Sequence, residues 1–234
     1  MAAVVRFVDG QRRVLDEGPA YGLTTAGPDG AVWVVQPGDE SGRGWGLPVR
    51  EPGDAITLVG PEGPRMSVRL PAGVRTVASV HADGDETLYV TIRPDSDVDH
   101  PSGFTELLRW DGRWTPVPYP GEDLLDVAAD AGGNLWALVT PVGAPDADSV
   151  IARRERVGWT LFPEVAGLSS LTLGPGGSVC GMSEAGLVLV CVEPAGRVLR
   201  QPIGVSGGLS IGEDGSVWLA HEGMLARLPI TAPR

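Results

Sequence analysis

Gly212-Glu-Asp-Gly-Ser-Val-Trp218 is the stretch that decides the fold, because four other stretches of the chain repeat its form. In each copy, a tight turn rich in glycine leads into an apolar strand that carries a large or buried residue. The other copies are Gly27-Pro-Asp-Gly-Ala-Val-Trp33, Ala82-Asp-Gly-Asp-Glu-Thr-Leu-Tyr89, Ala131-Gly-Gly-Asn-Leu-Trp136 and Gly174-Pro-Gly-Gly-Ser-Val-Cys180. Short-strand repeats of roughly 40 to 50 residues are typical of propeller blades. Five copies therefore predict five blades.

Each copy predicts a hairpin between a first and a second strand, since Asp-Gly or Gly-Gly supplies the positive φ of a tight turn. A second hairpin follows four of the copies, at residues 60–63, 107–114, 151–159 and 190–199. The fifth lies at the other end of the chain, in residues 4–15. We therefore expect an all-β, five-bladed β-propeller in one domain, 1–234, closed by pairing of the N-terminal strands with the C-terminal blade. Residues 224–230 are either the third strand of that blade or an added strand.

The first strands give an independent indication of the number of blades. Period-two alternation puts a small residue of each strand on one face, with mostly apolar neighbours on both sides. Small side chains suit inner strands that converge on a narrow axis. The alternative is an ordinary β-sandwich in which these residues are small by chance. The five residues are Thr25, Ser79, Ala128, Thr172 and Ser210.

Composition and charge exclude several classes of function. The formal net charge is -12, and all 18 basic residues are Arg. Such an acidic surface repels nucleic-acid backbones and anionic lipid, so we expect neither partner. The absence of Lys also excludes Schiff-base chemistry. The N-terminus lacks a basic region followed by an apolar one, which leads us to expect a cytoplasmic protein.

The repeat pattern resembles that of a known group of propellers. Gly27-Pro-Asp-Gly-Ala-Val-Trp33 and the last copy, extended to Leu228, are similar to the repeats of NHL-type, two-component-regulator and streptogramin-lyase propellers. The resemblance covers nearly the whole chain and implies the fold. Streptogramin lyases are seven-bladed, so this chain departs from them in blade number, and they use a His base with a Glu-bound magnesium to open an ester. His221 and Glu222 occupy a comparable place at the end of a second strand.

The candidate site lies on the rim where the second strands end. Three long loops follow those ends, at residues 37–54, 94–103 and 141–149, whereas the turns of the opposite rim are short. Long loops on a rigid scaffold commonly carry function. The predicted catalytic residues are His221, Glu222 and Glu184. The predicted ligand-binding residues are Gln36, Arg43, Trp45, Arg93 and Thr140.

His221 is the candidate general base, because an unperturbed imidazole has a pKa of about 6.5. Glu184 would supply a second acid or a metal ligand. An equally consistent interpretation makes His221 a surface residue in a tight turn. Arg43 and Trp45 stand in a glycine-rich loop that could act as a lid; the alternative is a solvated loop whose Trp45 packs on a neighbouring blade. His81 is expected at the turn end of its strand, away from this rim.

No cofactor is predicted, with a divalent cation as the alternative. Asp95-Ser-Asp-Val-Asp-His100 alternates carboxylates as a loop for a hard cation does, although acidic runs are usually solvated. Cys180 and Cys191 would lie directly opposite each other if residues 185–186 form a two-residue hairpin loop. They would bridge if oxidised, whereas a reducing cytoplasm favours packed thiols.

Two functions remain open from the sequence. The first is a cofactor-independent lyase, cyclase or isomerase acting on a small molecule. The second is a non-catalytic propeller that binds a ligand or a protein on the same rim. Phosphate-binding loops, dinucleotide fingerprints and nucleophile elbows do not occur in the chain. Glycoside hydrolysis is disfavoured because only Asp126 stands where a propeller glycosidase places its carboxylates.

Overall fold

The computed structural model describes residues 2–8, 11–18, 24–26, 31–35, 47–48, 55–71, 76–83, 87–93, 105–129, 133–143, 148–183, 187–204, 207–212, 216–221 and 224–228, some of them as backbone only. The regular structure in these residues is antiparallel strand, apart from a 3-10 turn at Pro175–Gly177. Among the same residues, no helix has the length and apolar character that a membrane crossing requires. The chain divides into two compact units, Met1–Pro118 and Tyr119–Arg234.

The first unit contains a hairpin and two larger sheets. The strands are β1 (Ala2–Val8), β2 (Gln11–Gly18), β3 (Thr24–Ala26), β4 (Val32–Val35), β5 (Leu47–Pro48), β6 (Ala55–Gly60), β7 (Gly63–Arg69), β8 (Thr76–Asp83), β9 (Thr87–Arg93), β10 (Glu106–Trp110) and β11 (Trp114–Pro116). The hairpin pairs β1 with β2, and sheet one has the order β3-β4-β6-β7. Sheet two has the order β8-β9-β10-β11, and β5 pairs with the edge of β8 that faces away from β9.

The second unit contains three sheets. The strands are β12 (Asp123–Ala129), β13 (Leu135–Thr140), β14 (Val150–Arg154), β15 (Trp159–Ala166), β16 (Thr172–Leu173), β17 (Val179–Ser183), β18 (Val188–Val192), β19 (Val198–Pro202), β20 (Gly208–Ile211), β21 (Val217–His221) and β22 (Met224–Leu228). Sheet three has the order β12-β13-β14-β15, sheet four has the order β16-β17-β18-β19, and sheet five has the order β20-β21-β22. Residues 224–228 are thus the third strand of the last sheet, which the sequence left undecided.

Sheets one to five are the blades of an all-β, five-bladed β-propeller, as the sequence predicts. In four blades the small residue of the first strand lies directly opposite the landmark of the second strand. Blade two is shifted by two residues, so that Tyr89 faces His81 and Ser79 faces Thr91. His81 therefore lies within β8, two residues before its end, and not at the turn as expected. The four regular pairs are Thr25 with Trp33, Ala128 with Trp136, Thr172 with Cys180, and Ser210 with Trp218.

The N-terminal hairpin differs from the prediction. Among the described strands, β1 pairs with β2 along its whole length, and the last sheet contains only β20, β21 and β22. The predicted pairing of the N-terminal strands with the C-terminal blade is therefore not found in the described part of the chain. Local pairing across a short turn needs little loop-closure entropy. The hairpin also precedes sheet one in sequence, and β2 lies close to β6 and β7.

The core of each unit lies between successive blades. In the first unit, Trp33 and Ile56 of sheet one and Leu88 of sheet two are fully buried in one apolar cluster. The indole N–H of Trp114 adds a hydrogen bond between the two sheets, donating to the carbonyl of Arg69 at 2.7 Å. Burial of each large apolar side chain contributes about 1.5–3 kcal/mol, so this packing is what holds one blade against the next.

Two such clusters lie among the described residues of the second unit. One joins sheets three and four through Trp136 and Val179. The other joins sheets four and five through Cys180 and Val217. The indole N–H of Trp136 donates to the carbonyl of Gly177 at 3.2 Å, which ties the second strand of blade three to the turn of blade four. Blades three to five thus form a continuous packed frame.

Candidate functional site

The second strand of every blade ends at or beside a residue that the sequence singles out. β9 ends at Arg93, β13 at Thr140 and β21 at His221. β4 and β17 end one residue before Gln36 and Glu184. In blades two and three these ends pair with the first residue of the first strand, as in Thr76 with Arg93 and Asp123 with Thr140. The placement of the strand ends is therefore as predicted.

Most side chains of the predicted site lie outside what the structure describes. Arg93 and His221 are described by their backbone only, and Thr140 is the one predicted site residue with a described side chain, which is half-buried. The catalytic and ligand-binding roles of the whole set therefore stay predictions. The residues outside the described ranges are Gln36, Arg43, Trp45, Glu184 and Glu222.

In the first unit, the loop predicted as a lid returns to the sheet at a defined point. Leu47 and Pro48, two residues past Trp45, pair with Val77 and Thr76 on the free edge of β8. Thr76 in turn pairs with Arg93. The loop that carries Arg43 and Trp45 thus ends at the same corner of sheet two as the predicted ligand-binding Arg93.

In the second unit, the connection that enters sheet three lies directly against the end of β13. The N–H of Glu122 donates to the carbonyl of Thr140 at 2.8 Å. A Cβ on Gly121 would lie 2.7 Å from Cβ of Val139 and 2.8 Å from the Thr140 carbonyl oxygen, which leaves no room for a side chain. The backbone around Thr140 is therefore held by contacts between the end of β13 and the residues that lead into β12.

The connection that enters sheet four, residues 167–171, is held from both neighbouring blades. On the side of sheet three, the hydroxyl of Ser149 donates to the carbonyl of Leu168 at 2.8 Å. On the side of sheet four, Leu168 forms an isolated bridge with Ser183, the residue before Glu184. A Cβ on Gly181 would lie 2.5 Å from the carbonyl oxygen of Ser170, so glycine allows this connection to pass close to β17.

Asp126 completes this attachment, and sequence reasoning missed its role. Its Oδ2 accepts a hydrogen bond from the N–H of Leu171 at 2.7 Å, and its Oδ1 accepts one from the N–H of Val127 at 2.8 Å. Burial raises the pKa of the Asp126 carboxyl, while the two N–H donors lower it. The signal in the sequence was a carboxylate flanked on both sides by apolar residues, in Leu124-Leu-Asp-Val-Ala128. The strand register shifts between Leu124 and Asp126.

A separate polar cluster lies on one face of sheet two. Ser79 Oγ lies 2.7 Å from Thr91 Oγ1 and 3.0 Å from Nε2 of His81. Burial lowers the pKa of His81 to about 4, which keeps the imidazole neutral near pH 7. Because Thr91 is buried and the other two are half-buried, the cluster satisfies polar groups inside the sheet packing.

The described residues offer no metal site. Nowhere among them do three or more His, Cys, Asp or Glu side chains converge as metal ligands. The acidic run Asp95–His100 and the two glutamates comparable with a magnesium ligand, Glu184 and Glu222, fall outside the described ranges.

Cys180 and Cys191 form a disulfide, with their Cα atoms 4.0 Å apart. They lie directly opposite each other in β17 and β18, as the hairpin register predicts. Of the two states that the sequence left open, the structure has the bridged one, because this register brings the two sulfur atoms to bonding distance. The chain contains only these two cysteines, so both are used.

Comparisons with solved structures place the chain among known propellers. A virginiamycin B lyase from Staphylococcus aureus matches with a TM-score of 0.53 and 14% identity, over 91% of this chain and 71% of the lyase. A catalytically inactive form of that lyase is known with quinupristin. A gluconolactonase from Xanthomonas campestris matches with a TM-score of 0.58 and 14% identity, over 97% of this chain and 78% of the other.

A chain of the nidogen/laminin complex also matches, with a TM-score of 0.56 and 11% identity, over 92% of this chain and 80% of the other. No protein-family model matches the sequence, and no curated protein does. At these identities the likeness shows the fold alone. The resemblance to streptogramin-lyase and related propellers is confirmed at that level.

Proposed function

We propose that the chain is a cofactor-independent enzyme that acts on a small organic molecule as a lyase, cyclase or isomerase. The observation that carries the proposal is the set of strand ends in the second unit. Three successive blades end their second strands at Thr140, Ser183 and His221, and the connections beside the first two ends are fixed by backbone contacts. Catalytic groups need such rigid support. That two similar propellers are a lyase and a gluconolactonase supports an activity on small molecules.

In the proposed reaction, the neutral imidazole of His221 removes a proton from the substrate. The neighbouring Glu222, and Glu184 next to Ser183, provide carboxylates that stabilise the imidazolium of His221, which then returns the proton to the leaving oxygen. The hydroxyl of Thr140 orients the substrate. Gln36, Arg43, Trp45 and Arg93 of the first unit stay proposed ligand-binding residues.

The test is turnover of a defined panel of esters and lactones, including quinupristin and glucono-lactone, followed by liquid chromatography and mass spectrometry. We expect at least one ring-opened or rearranged product, and loss of that product in His221→Gln. The matched control is Arg156→Gln, because Arg156 is exposed in the turn between β14 and β15, at the other end of sheet three from Thr140. Turnover by His221→Gln equal to that of the unchanged chain would remove His221 from the mechanism.

The second candidate function is a non-catalytic propeller that binds a ligand or a protein. The similarity to a chain of the nidogen/laminin complex favours this interpretation. Saturable binding of a panel member without any product, measured by calorimetry, would establish this function over the enzyme.

A further inference from the structure

The two cysteines of the disulfide in sheet four differ in how deeply they are buried. The side chain of Cys180 is only 2% exposed, whereas that of Cys191 is half-buried. Cys180 lies in a cluster with Leu189 of its own sheet and Val217 of sheet five, and Cys191, Leu209 and Ile211 pack against that cluster from the outside. The backbone also covers it, since a Cβ on Gly174 would lie 3.4 Å from Sγ of Cys180.

This asymmetry affects both routes by which a thiol could reduce the bridge. In exchange, a thiolate attacks one sulfur, a new S–S bond forms, and the other sulfur leaves as a thiolate. Attack on the less buried Cys191 expels the thiolate of Cys180 into an apolar cluster, where a charged sulfur is unfavourable. Attack on Cys180 would expel the thiolate of the half-buried Cys191, but the packing of sheets four and five covers the sulfur that must be reached. Neither route is open while the blades stay packed.

We propose that the Cys180–Cys191 bridge is a permanent lock of blade four, closed to small thiols as long as the chain is folded. Its formation requires a disulfide donor during folding, such as glutathione disulfide or an oxidised thiol–disulfide oxidoreductase. The two cysteine thiols give two electrons and two protons to that donor, which becomes a pair of thiols. The bridge lies three residue pairs from the end of the ladder at Ser183 and Val188, so it fixes the register of the hairpin that leads to Glu184.

The redox environment in which the chain folds decides whether the Cys180–Cys191 bridge forms. Disulfides form and persist where oxidising donors are present, whereas glutathione and thioredoxin keep cytosolic thiols reduced. A bridge that resists reduction after folding needs such a donor only once. The thiol state of the isolated chain therefore records the conditions under which it folded.

The experiment follows reduction of the folded chain by dithiothreitol at neutral pH. Samples are quenched with an alkylating reagent, and the alkylated cysteines are counted by mass spectrometry, while circular dichroism reports whether the chain stays folded. We expect the bridge to be reduced roughly a hundredfold more slowly in the folded chain than in urea at the same reductant concentration, because attack has to wait for a transient opening of the packed blades. A rate in the folded chain close to the rate in urea, with circular dichroism showing that the chain stays folded, would overturn the proposal.

Two further measurements separate protection by packing from a general effect. Val217→Ala removes part of the side chain that packs in the cluster with Cys180. The matched control is Val68→Ala, the same change in the core of the first unit. We expect the bridge to be reduced faster in Val217→Ala than in Val68→Ala. Equal rates in the two variants would show that packing against sheet five does not protect the bridge. Failure of the unfolded, reduced chain to regain the bridge when it refolds with glutathione disulfide would overturn the lock itself.

Discussion

The carboxylate of Asp126 accepts a hydrogen bond from the backbone N–H of Leu171 at 2.7 Å, which links the first strand of blade three to the connection entering blade four. The same connection forms an isolated bridge, through Leu168, with Ser183, the residue before the predicted catalytic Glu184. A single carboxylate therefore supports the backbone on which part of the proposed site depends.

Asp126→Ala should reduce the free energy of unfolding by about 1–3 kcal/mol, because it leaves two backbone N–H groups without their acceptor. Asp126→Asn keeps one acceptor oxygen and should cost less. Urea unfolding at pH 7 measures both changes. An equal loss in the two variants would show that the hydrogen bonds to Leu171 and Val127 do not account for the effect.

His81 should make the folded state sensitive to acid. Burial lowers its pKa from 6.5 to about 4. Between these two pH values the imidazole is protonated in the unfolded chain and neutral in the folded chain. The contribution of this group to stability is complete above pH 6.5 and is lost progressively as the pH falls toward 4. For a half-buried group we expect a loss of about 1–3 kcal/mol.

The pH effect is measured by urea unfolding at several pH values between 7.5 and 4.5, for the unchanged chain and for His81→Gln. The glutamine amide can still bond to Ser79 but does not titrate, so the variant should lose less stability on acidification. The same pH dependence in both proteins would assign the acid sensitivity to other groups. His100 and His221 are present in both proteins and cancel in the comparison.

Two buried tryptophans form a matched pair for measuring one hydrogen bond. Trp33 and Trp136 are both fully buried, but the Nε1–H of Trp136 donates to Gly177, whereas that of Trp33 has no acceptor among the described residues. Trp136→Phe should cost about 1 kcal/mol more in unfolding free energy than Trp33→Phe, because only the first change removes a hydrogen bond. Arg153 and Phe162 also contact the Trp136 ring and add to the difference. A larger loss in Trp33→Phe would contradict this.

The sequence predicted the parts of the fold that depend on local pairing. Trp33, Tyr89, Trp136, Cys180 and Trp218 all lie on second strands, because glycine-containing turns followed by apolar runs specify a hairpin without help from distant residues. The opposition of Cys180 and Cys191 followed from the same local register. The shift in blade two was missed because the strands continue past the expected turn, as far as Asp83 and Thr87.

Contacts between distant segments were harder to predict. The position of the N-terminal hairpin depends on packing and not on its own pattern of residues. The hydrogen bond between Asp126 and Leu171 spans 45 residues, and no local periodicity encodes such a contact. For the site, the strand ends at Thr140 and His221 were predicted correctly from the repeat. The chemistry of their side chains depends on neighbours from separate loops, which a repeat pattern does not specify.

Gly181 limits how this protein can diverge. Any side chain there would strike the Ser170 carbonyl, so a descendant could accept a larger residue only by lengthening or rerouting the segment before β16. Such a change would release Leu171 from Asp126 and remove the advantage of keeping a carboxylate at position 126. We therefore expect the glycine, the carboxylate and the length of that segment to be inherited or lost together.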